Sequence, residues 1–428
     1  MQRTFIPAFV VTVAGFIFAS GAEAATYTVV HDFCGKRHCT DGAQPWSPPV
    51  TDGADNWFGT TPVGGDNNEG TIYRMSLAGG HRSFTRLYSF CSKKNCADGR
   101  DPQAGLIIDS SGNLYGTTKA GGSGDDGVVF ELVKGAGTWT YKVLYKFCSQ
   151  ASCADGATPY DVTLGYPGMS GGSAYNGIVP LYGTTSLGGA ANLGVVFSLT
   201  PGGGSWTEQV IHDFCQDASC SDGNGPQYGV VVDGAGNVFG VTGRGGKHAA
   251  GVLFEMVEGG GSWTYDVLHN FCAETSCADG NNPVGPLLTD MDLNVYGATD
   301  AGGTSGGGTI FKLVPNGARS KLFTLYTFCA ADESCPDGEH PRGGLVQDSI
   351  GLIYGVAGAG GDMDVGTIWR LSGAKHTVFT RLVSFGDAST PGVTPQGGLF
   401  IVNPNGPFYG TASFGGANNN GVLFKLKK

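Results

Sequence analysis

The chain has 428 residues and a net charge of −11, only 14% of its residues are charged, and glycine occupies 75 positions. The acidic balance argues against nucleic acid and against an acidic membrane surface as partners, because both repel a negatively charged protein. Low charge combined with many hydroxyl and amide side chains suits a surface that meets neutral polar ligands. Composition therefore leaves open both binding proteins and enzymes that act on such ligands.

Residues 1–24 have the features of a secretory signal peptide. Arg3 precedes an apolar stretch over residues 5–18, and A-E-A at residues 22–24 offers small residues for cleavage. The apolar stretch is short and is interrupted by a proline and a glycine, which argues against a spanning helix. We therefore expect residues 25–428 to form a single domain that is secreted or periplasmic and lacks a membrane span.

The cysteine pairs of this chain recur at a nearly constant spacing. The first members of six local pairs are separated by 57, 57, 67, 57 and 57 residues, which predicts an array of one repeated unit. An oxidising compartment favours disulfides over zinc, and zinc would need four ligands to converge. We expect six local disulfides, each contributing about 2 kcal/mol, and neither a metal nor a cofactor. The predicted pairs are Cys34–Cys39, Cys91–Cys96, Cys148–Cys153, Cys215–Cys220, Cys272–Cys277 and Cys329–Cys335.

Each unit reads F-C-x4-C-x-D-G-x-x-P, followed by an apolar run, D-x-x-G-N-L-Y-G-T-T, a G-G loop and two further apolar stretches. Branched and aromatic residues bounded by glycine, aspartate and asparagine predict four strands per unit. In the clearest copy these strands cover residues 105–109, 113–118, 127–133 and 138–147. Four strands repeated at this spacing predict a seven-bladed β-propeller of four-stranded antiparallel blades.

The two ends of the chain complement each other. The seventh unit opens at Phe385, has Gly386 in place of a cysteine, and stops after its third strand at residues 421–426. Residues 26–33 match the missing fourth strand, so we predict that they pair with the last unit and close the ring. A parallel β-helix is the alternative fold, and it predicts shorter repeats without complementary ends.

The repeat carries a family resemblance. N-L-Y-G-T-T at residues 113–118 precedes G-G and then G-V-V-F at residues 127–130, and the third unit repeats this at residues 181–185 and 194–197. The pattern resembles the GloVer-type tandem repeats of secreted, choice-of-anchor bacterial proteins. The resemblance covers nearly all of the mature chain and implies no defined activity.

Several residues recur in every cysteine-bearing unit and are poor candidates for a catalytic role. An aspartate before glycine either belongs to a carboxylate ring that binds a cation or stabilises the turn after the disulfide loop, and we favour the turn. These aspartates are Asp41, Asp98, Asp155, Asp222, Asp279 and Asp337. The Tyr-Gly-Thr-Thr strands are expected to pack rather than to line a polar channel.

Loops in which the units differ are better candidates for function. Arg244, Lys247 and His248 form a dense cationic cluster in the G-G loop of the fourth unit, and Arg342 occupies a comparable loop. These groups are candidate ligand-binding residues. Where they face acidic loops across a cleft, they are also candidate catalytic residues for acid–base cleavage of a glycan. Solvated surface charge is the alternative interpretation.

Aromatic side chains supply further candidates for ligand binding. Trp46 stands where most units lack an aromatic residue and could hold a sugar ring, although packing against neighbouring prolines is the alternative. The third unit has ten extra residues somewhere within residues 165–176, a range that includes Tyr166 and Tyr175, and they form either a binding loop or a tolerated surface insertion.

The sequence shows no nucleophile elbow between a strand and a helix, no metalloprotease helix and no phosphate loop. We therefore expect a monomeric, secreted binding or interaction protein that recognises an extracellular polysaccharide or a surface macromolecule. The alternative is a propeller enzyme, a polysaccharide lyase or glycoside hydrolase, with its acid–base site on the face that bears the cysteine and G-G loops. A purely structural role in an envelope layer is the third possibility.

Overall fold

The structure is a computed structural model that describes residues 25–428 except 77–80, 160–164, 166–174, 291, 316–319, 332–333 and 402–405. It is all-β, and its antiparallel sheets form a ring of seven blades, as the repeat predicts. Within each blade the hydrogen-bonded order of the strands follows a simple meander from the innermost first strand to the outermost fourth strand. No described helix is long and apolar enough to cross a membrane.

The strands of each blade are as follows. Blade 1 has Val50–Thr51, Asn56–Thr61, Thr71–Ser76 and Ser83–Ser89. Blade 2 has Ile107–Ile108, Leu114–Thr118, Val128–Lys134 and Trp139–Lys146. Blade 3 has Leu181–Thr185, Val195–Gly202 and Ser205–Asp213, preceded by a single bridge between Gly165 and Tyr182. Blade 4 has Val231–Val232, Val238–Thr242, Val252–Gly259 and Ser262–Asn270. Blade 5 has Asn281–Thr289, Val295–Ala301, Thr309–Val314 and Lys321–Thr327. Blade 6 has Glu339–Gln347, Ile353–Ala359, Thr367–Ser372 and Val378–Ser384. Blade 7 has Leu399–Ile401, Phe408–Ala412, Val422–Lys427 and Thr26–Asp32, with Gly392–Val393 and Phe414–Gly415 paired beside them.

The seventh blade is completed by the N-terminal strand, which confirms the predicted closure. Thr26–Asp32 pairs antiparallel with Val422–Lys427 along its whole length. The Phe33 amide continues the pairing by donating to the Gly421 carbonyl at 3.0 Å. Because the first and last strands of the described chain share one sheet, the ring has no open sheet edge at this seam.

Glycine in the Tyr-Gly-Thr-Thr strand makes room for an aromatic ring. Gly116 pairs with Phe130 on the third strand, and the Phe130 ring lies across the glycine, so that an added Cβ would sit 2.8 Å from Phe130 Cζ and 2.9 Å from Leu106 Cδ2. The two threonines that follow, Thr117 and Thr118, are buried, which agrees with packing rather than a polar lining. The same glycine–aromatic contact recurs at Gly59–Tyr73, Gly240–Phe254, Gly297–Phe311, Gly355–Trp369 and Gly410–Phe424.

Successive blades are connected by a repeated contact, which we call the blade joint. In blade 2 the Asp101 amide donates to the Glu69 carbonyl of blade 1 at 3.0 Å, and the Pro102 ring lies against Gly70. A Cβ on Gly70 would sit 2.5 Å from Pro102 Cδ, so this position has to be glycine. The residue that donates this amide comes directly before the proline in every blade, with φ between 53° and 57°. These seven residues are Gln44, Asp101, Thr158, Gly225, Asn282, His340 and Thr394.

All six cysteine pairs form disulfides within their own loops, as predicted. Each aspartate before glycine stabilises its loop instead of facing a cation. In the second loop the Asp98 carboxylate accepts hydrogen bonds from the Tyr88 hydroxyl at 2.6 Å and from the Ser92 and Lys93 amides. Burial tends to raise the pKa of Asp98, but these hydrogen bonds outweigh it and the pKa is lowered.

Aromatic rings stack across several of the outer seams between blades, whereas blade 3 has a carboxylate at the matching position. The Tyr141 ring stacks on Tyr88 of the preceding blade at 4.1 Å, and Tyr265 stacks on His212 at 3.9 Å. At the matching position blade 3 has Glu208, whose carboxylate lies 3.4 Å from the Tyr145 hydroxyl. Burial, reinforced by the nearby charge of Asp155, raises the pKa of Glu208 to about 7.

Gly116→Ala should lower the free energy of unfolding by about 1–3 kcal/mol, because the new methyl group overlaps the Phe130 ring and Leu106. Chemical denaturation measures this change. Gly259→Ala is the matched control, because nothing lies within 4 Å of its added Cβ. Equal stability of the two variants would contradict the proposed reason for glycine in this strand.

Glu208→Gln should make the protein more stable at pH 8 and leave its stability unchanged near pH 4.5. A folded-state pKa of about 7, against 4.5 for an unperturbed glutamate, means that the folded state holds a proton which the unfolded state releases. Wild-type stability therefore falls as the pH rises through this window. The gain at pH 8 should be about 1 kcal/mol after allowance for solvent screening. Denaturation of the variant and of the exposed control Glu258→Gln at both pH values measures it, and equal gains in the two variants would exclude a specific effect of Glu208.

Candidate functional site

The loops that carry most sequence differences lie at one face of the propeller. The disulfide loops lead from the fourth strand of one blade into the first strand of the next, and the G-G loops join second strands to third strands at the same end of the sheets. At the centre of the ring the first strands crowd together, with a bridge between Gly344 and Gly398. We call the centre of the ring on this side the entrance.

The residues of the blade joints surround the entrance, and we call these seven positions the entrance ring: Gln44, Asp101, Thr158, Gly225, Asn282, His340 and Thr394. All seven are half-exposed. Their backbones are alike, because each has a positive φ and donates its amide to the preceding blade. Their side chains are all different in size or chemistry except for two threonines, and all but the glycine are polar.

A second set of side chains follows the prolines, and we call it the post-proline ring. Its members are Trp46, Gln103, Tyr160, Gln227, Val284, Arg342 and Gln396, of which Tyr160 lies outside the described residues. Trp46, Arg342 and Gln396 are half-buried, and Gln227 is exposed. Gln103 is only 5% exposed and donates from Nε2 to the Asp101 carboxylate at 3.0 Å. Amides therefore predominate around the entrance.

Blade 2 contributes a charged group to the entrance ring. Asp101 lies 3.8 Å from the Lys119 ammonium. Burial raises the pKa of Asp101 in spite of Lys119 and of the hydrogen bond from Gln103. Outside this pair, Arg100 donates two hydrogen bonds to the Asp125 carboxylate, at 2.9 and 2.7 Å.

Blades 5 and 6 contribute the larger charged group, which we call the Asp300 cluster: Asn282, Asp300, His340 and Arg342. Asp300 Oδ1 lies 3.0 Å from Arg342 Nη2 and 3.3 Å from His340 Nδ1, and Asn282 Nδ2 donates to Oδ2 at 3.2 Å. His340 Nδ1 also donates to the Asp300 carbonyl at 2.9 Å. Because a carbonyl can only accept, Nδ1 carries a proton and Nε2 is the remaining titrating nitrogen.

Within the Asp300 cluster, the pKa values of His340 and Asp300 are shifted in opposite directions. The hydrogen bond with Asp300 raises the pKa of His340 against the effect of burial. Burial tends to raise the pKa of Asp300, but the hydrogen bond from His340 and the charge of Arg342 outweigh it, so the pKa is lowered. One carboxylate thus contacts two basic side chains at the entrance.

The structure gathers some of the predicted site residues and leaves others apart. Arg342 belongs to the Asp300 cluster, whereas Arg244, Lys247 and His248 are exposed on the fourth-unit loop. Among the described residues, none of these three side chains has an ion pair. Acidic residues of the G-G loops pair locally instead, as Asp66 with Arg86 and Asp362 with Arg381.

The aromatic candidates also have different environments. Trp46 is half-buried in the post-proline ring. Tyr166 lies outside the described residues. Tyr175 is fully buried, packs edge-to-face on Tyr115 and donates its hydroxyl to the Val179 carbonyl, so the structure places it in the core and away from a surface ligand.

Within the part of the chain that the structure describes, two places bring three potential metal-ligating groups together, but each includes both sulfurs of a disulfide. Oxidised sulfurs are not thiolates and do not supply the ligands that such a site would need.

The entrance ring was missed by the sequence analysis, which named only Arg342 of the Asp300 cluster. A signal for it was present, because the position before the proline of each unit varies while the surrounding repeat stays the same. Asp300 had no comparable signal, since only the fold places it beside residues 40 and 42 positions later.

Several solved structures share the fold at low identity. Polysaccharide lyase Uly1 has 10% identity and a TM-score of 0.52, covering 93% of this chain and 94% of its own. The N-terminal domain of Nup159 has 8% identity and a TM-score of 0.47, with 95% and 97% covered. Trypanosoma rangeli sialidase has 10% identity and a TM-score of 0.40, with 82% and 56% covered. These likenesses show the fold alone.

No curated protein matches the chain at significant similarity. A family model described as the Gloeobacter/Verrucomicrobia repeat matches residues 11–179 and again residues 176–338. The two matches together span most of the chain, and they confirm the resemblance that the repeat motif carries.

Proposed function

The chain belongs to the Gloeobacter/Verrucomicrobia repeat family, and we propose that it is a secreted, monomeric binding propeller that recognises an extracellular polysaccharide at its entrance. Six disulfides are consistent with an oxidising compartment outside the cytoplasm. The signal peptide predicted over residues 1–24 would deliver the chain there.

The entrance ring is the observation that carries this proposal. Blade 4 uses Gly225 for the left-handed conformation that each joint needs, and glycine adopts it without strain. The other six blades hold side chains in this conformation, including the β-branched Thr158 and Thr394, for which a positive φ is unfavourable. Folding alone does not require these side chains. A role in binding accounts for them.

The chemistry of the two rings suits sugar hydroxyls. Glutamine and asparagine amides both donate and accept hydrogen bonds, as a hydroxyl does, and threonine adds further groups of this kind. Trp46 offers an apolar ring face beside them, although it is only partly exposed.

An enzyme that cleaves such a polymer is the second candidate, and the Asp300 cluster favours it. His340 is oriented through Nδ1, has a titrating Nε2 and lies beside a guanidinium, which is an arrangement suited to proton transfer near an anionic intermediate. Arg244, Lys247 and His248 remain candidates for the same role, without an orienting partner among the described residues.

Gln44→Gly should weaken polysaccharide binding about fivefold to tenfold, since one or two hydrogen bonds are lost. The blade joint should persist, because blade 4 forms it with glycine. Binding of the purified mature chain to a panel of extracellular polysaccharides, followed by titration calorimetry, measures the change. Gln209→Ala, an exposed glutamine on an outer strand, is the control. Failure of the wild type to bind any polysaccharide, or equal binding by both variants, would contradict the proposal.

If the protein also cleaves its ligand, His340→Ala should abolish the release of new chain ends, while His248→Ala should leave it unchanged. Assays for new reducing ends and for unsaturated products separate hydrolysis from lysis. Binding by the wild type without release of either product would exclude the enzyme, and loss of release in His248→Ala alone would move the site to the fourth-unit loop.

A further inference from the structure

The arginines of the entrance face differ in how their guanidinium groups are used. Arg86, Arg100 and Arg381 each donate two hydrogen bonds to one carboxylate, which are the pairs to Asp66, Asp125 and Asp362. Arg86 and Arg381 each donate another bond to a backbone carbonyl. These three guanidinium groups are therefore engaged in holding loops and seams together.

Arg342 is used differently. Its ion pair with Asp300 involves Nη2 alone, and no other partner is recorded for it among the described residues. A guanidinium has five N–H donors in a planar fork, so most of its hydrogen-bonding capacity is left. The Arg342 side chain is 33% exposed and follows Pro341 in the post-proline ring.

His340 provides a second group at the same place. Its Nδ1 is held by Asp300, and the side chain is 43% exposed in the entrance ring, two residues before Arg342. Asp300 is 17% exposed, less than either of them, and acts on both. A single half-buried carboxylate thus contacts two more exposed basic side chains.

The guanidinium of Arg342 supplies the unused donors of the cluster. Asp300 offsets its positive charge, and the charges of Asp300 and Glu339 both act to raise the pKa of His340. The N–H groups of Arg342 that Asp300 leaves unused are the donors from which an anion would accept hydrogen bonds.

We propose that Arg342 and His340 together bind an anionic group, a carboxylate or a sulfate, of the polysaccharide ligand. This inference rests on the proposed function and specifies its ligand as an acidic polymer. Arginine matches the planar geometry of a carboxylate and also pairs with sulfate oxygens. The amides and hydroxyls elsewhere in the two rings then contact neutral parts of the same polymer.

Two matched pairs of polymers test the inference: oligogalacturonate against its methyl ester for carboxylate, and dextran sulfate against dextran for sulfate. We expect the acidic member of one pair to bind the wild type at least about tenfold more tightly. Raising NaCl from about 0.05 M to about 0.5 M should reduce this preference. Arg342→Gln should abolish it and leave binding of the neutral member unchanged, and Arg342→Lys should restore part of it.

Arg86→Gln is the control, because it removes the same charge from an arginine that is already bound to Asp66. It should keep the preference for the acidic member. The inference is overturned if acidic and neutral members bind equally, if Arg342→Gln weakens both equally, or if Arg244→Gln and not Arg342→Gln removes the preference. Absence of binding to every polymer would instead contradict the proposed function itself.

Discussion

The joint between successive blades is the constraint on which the structure depends. The ring closes only if each blade is rotated from the preceding blade by a similar angle. The same contact sets this angle at every joint. A backbone amide in a left-handed residue reaches the preceding blade, and a proline lies against a glycine of that blade, as in Asp101, Pro102 and Gly70. The joint is therefore formed by the backbone, the proline and the glycine. The side chain of the left-handed residue takes no part in it, and so can differ from blade to blade without a change in the geometry of the ring.

This separation explains what could be predicted from the sequence. Cysteine spacing, strand composition and the complementary ends predicted the propeller and its closure, because each is a local pattern repeated along the chain. The blade joint could not be predicted in this way. Gly70 and Pro102 belong to different units, and nothing in either unit alone says that they touch. The glycine of the Tyr-Gly-Thr-Thr motif, by contrast, pairs inside its own blade.

The site was harder to predict than the fold for a related reason. Arg244, Lys247 and His248 were selected in the sequence analysis because these basic residues are close together in one loop. In a ring, each loop adds one or two side chains to the entrance, so a cluster is assembled from distant parts of the chain. Asn282, Asp300 and His340 come together in this way. Variation at a fixed position of the repeat is a better guide here than the number of charges in one segment.

The location of the disulfides bears on how the protein can mature. Each bridge joins cysteines five or six residues apart, and none connects two blades. The seventh blade has no disulfide in this loop. In its place, the Asp387 carboxylate accepts hydrogen bonds from the amides of Ser389 and Thr390. Nearest-neighbour pairing is also the commonest outcome of random encounter in an unfolded chain. We therefore expect that an oxidant alone is enough to form the six disulfides, with little need for an isomerase to rearrange wrongly paired thiols.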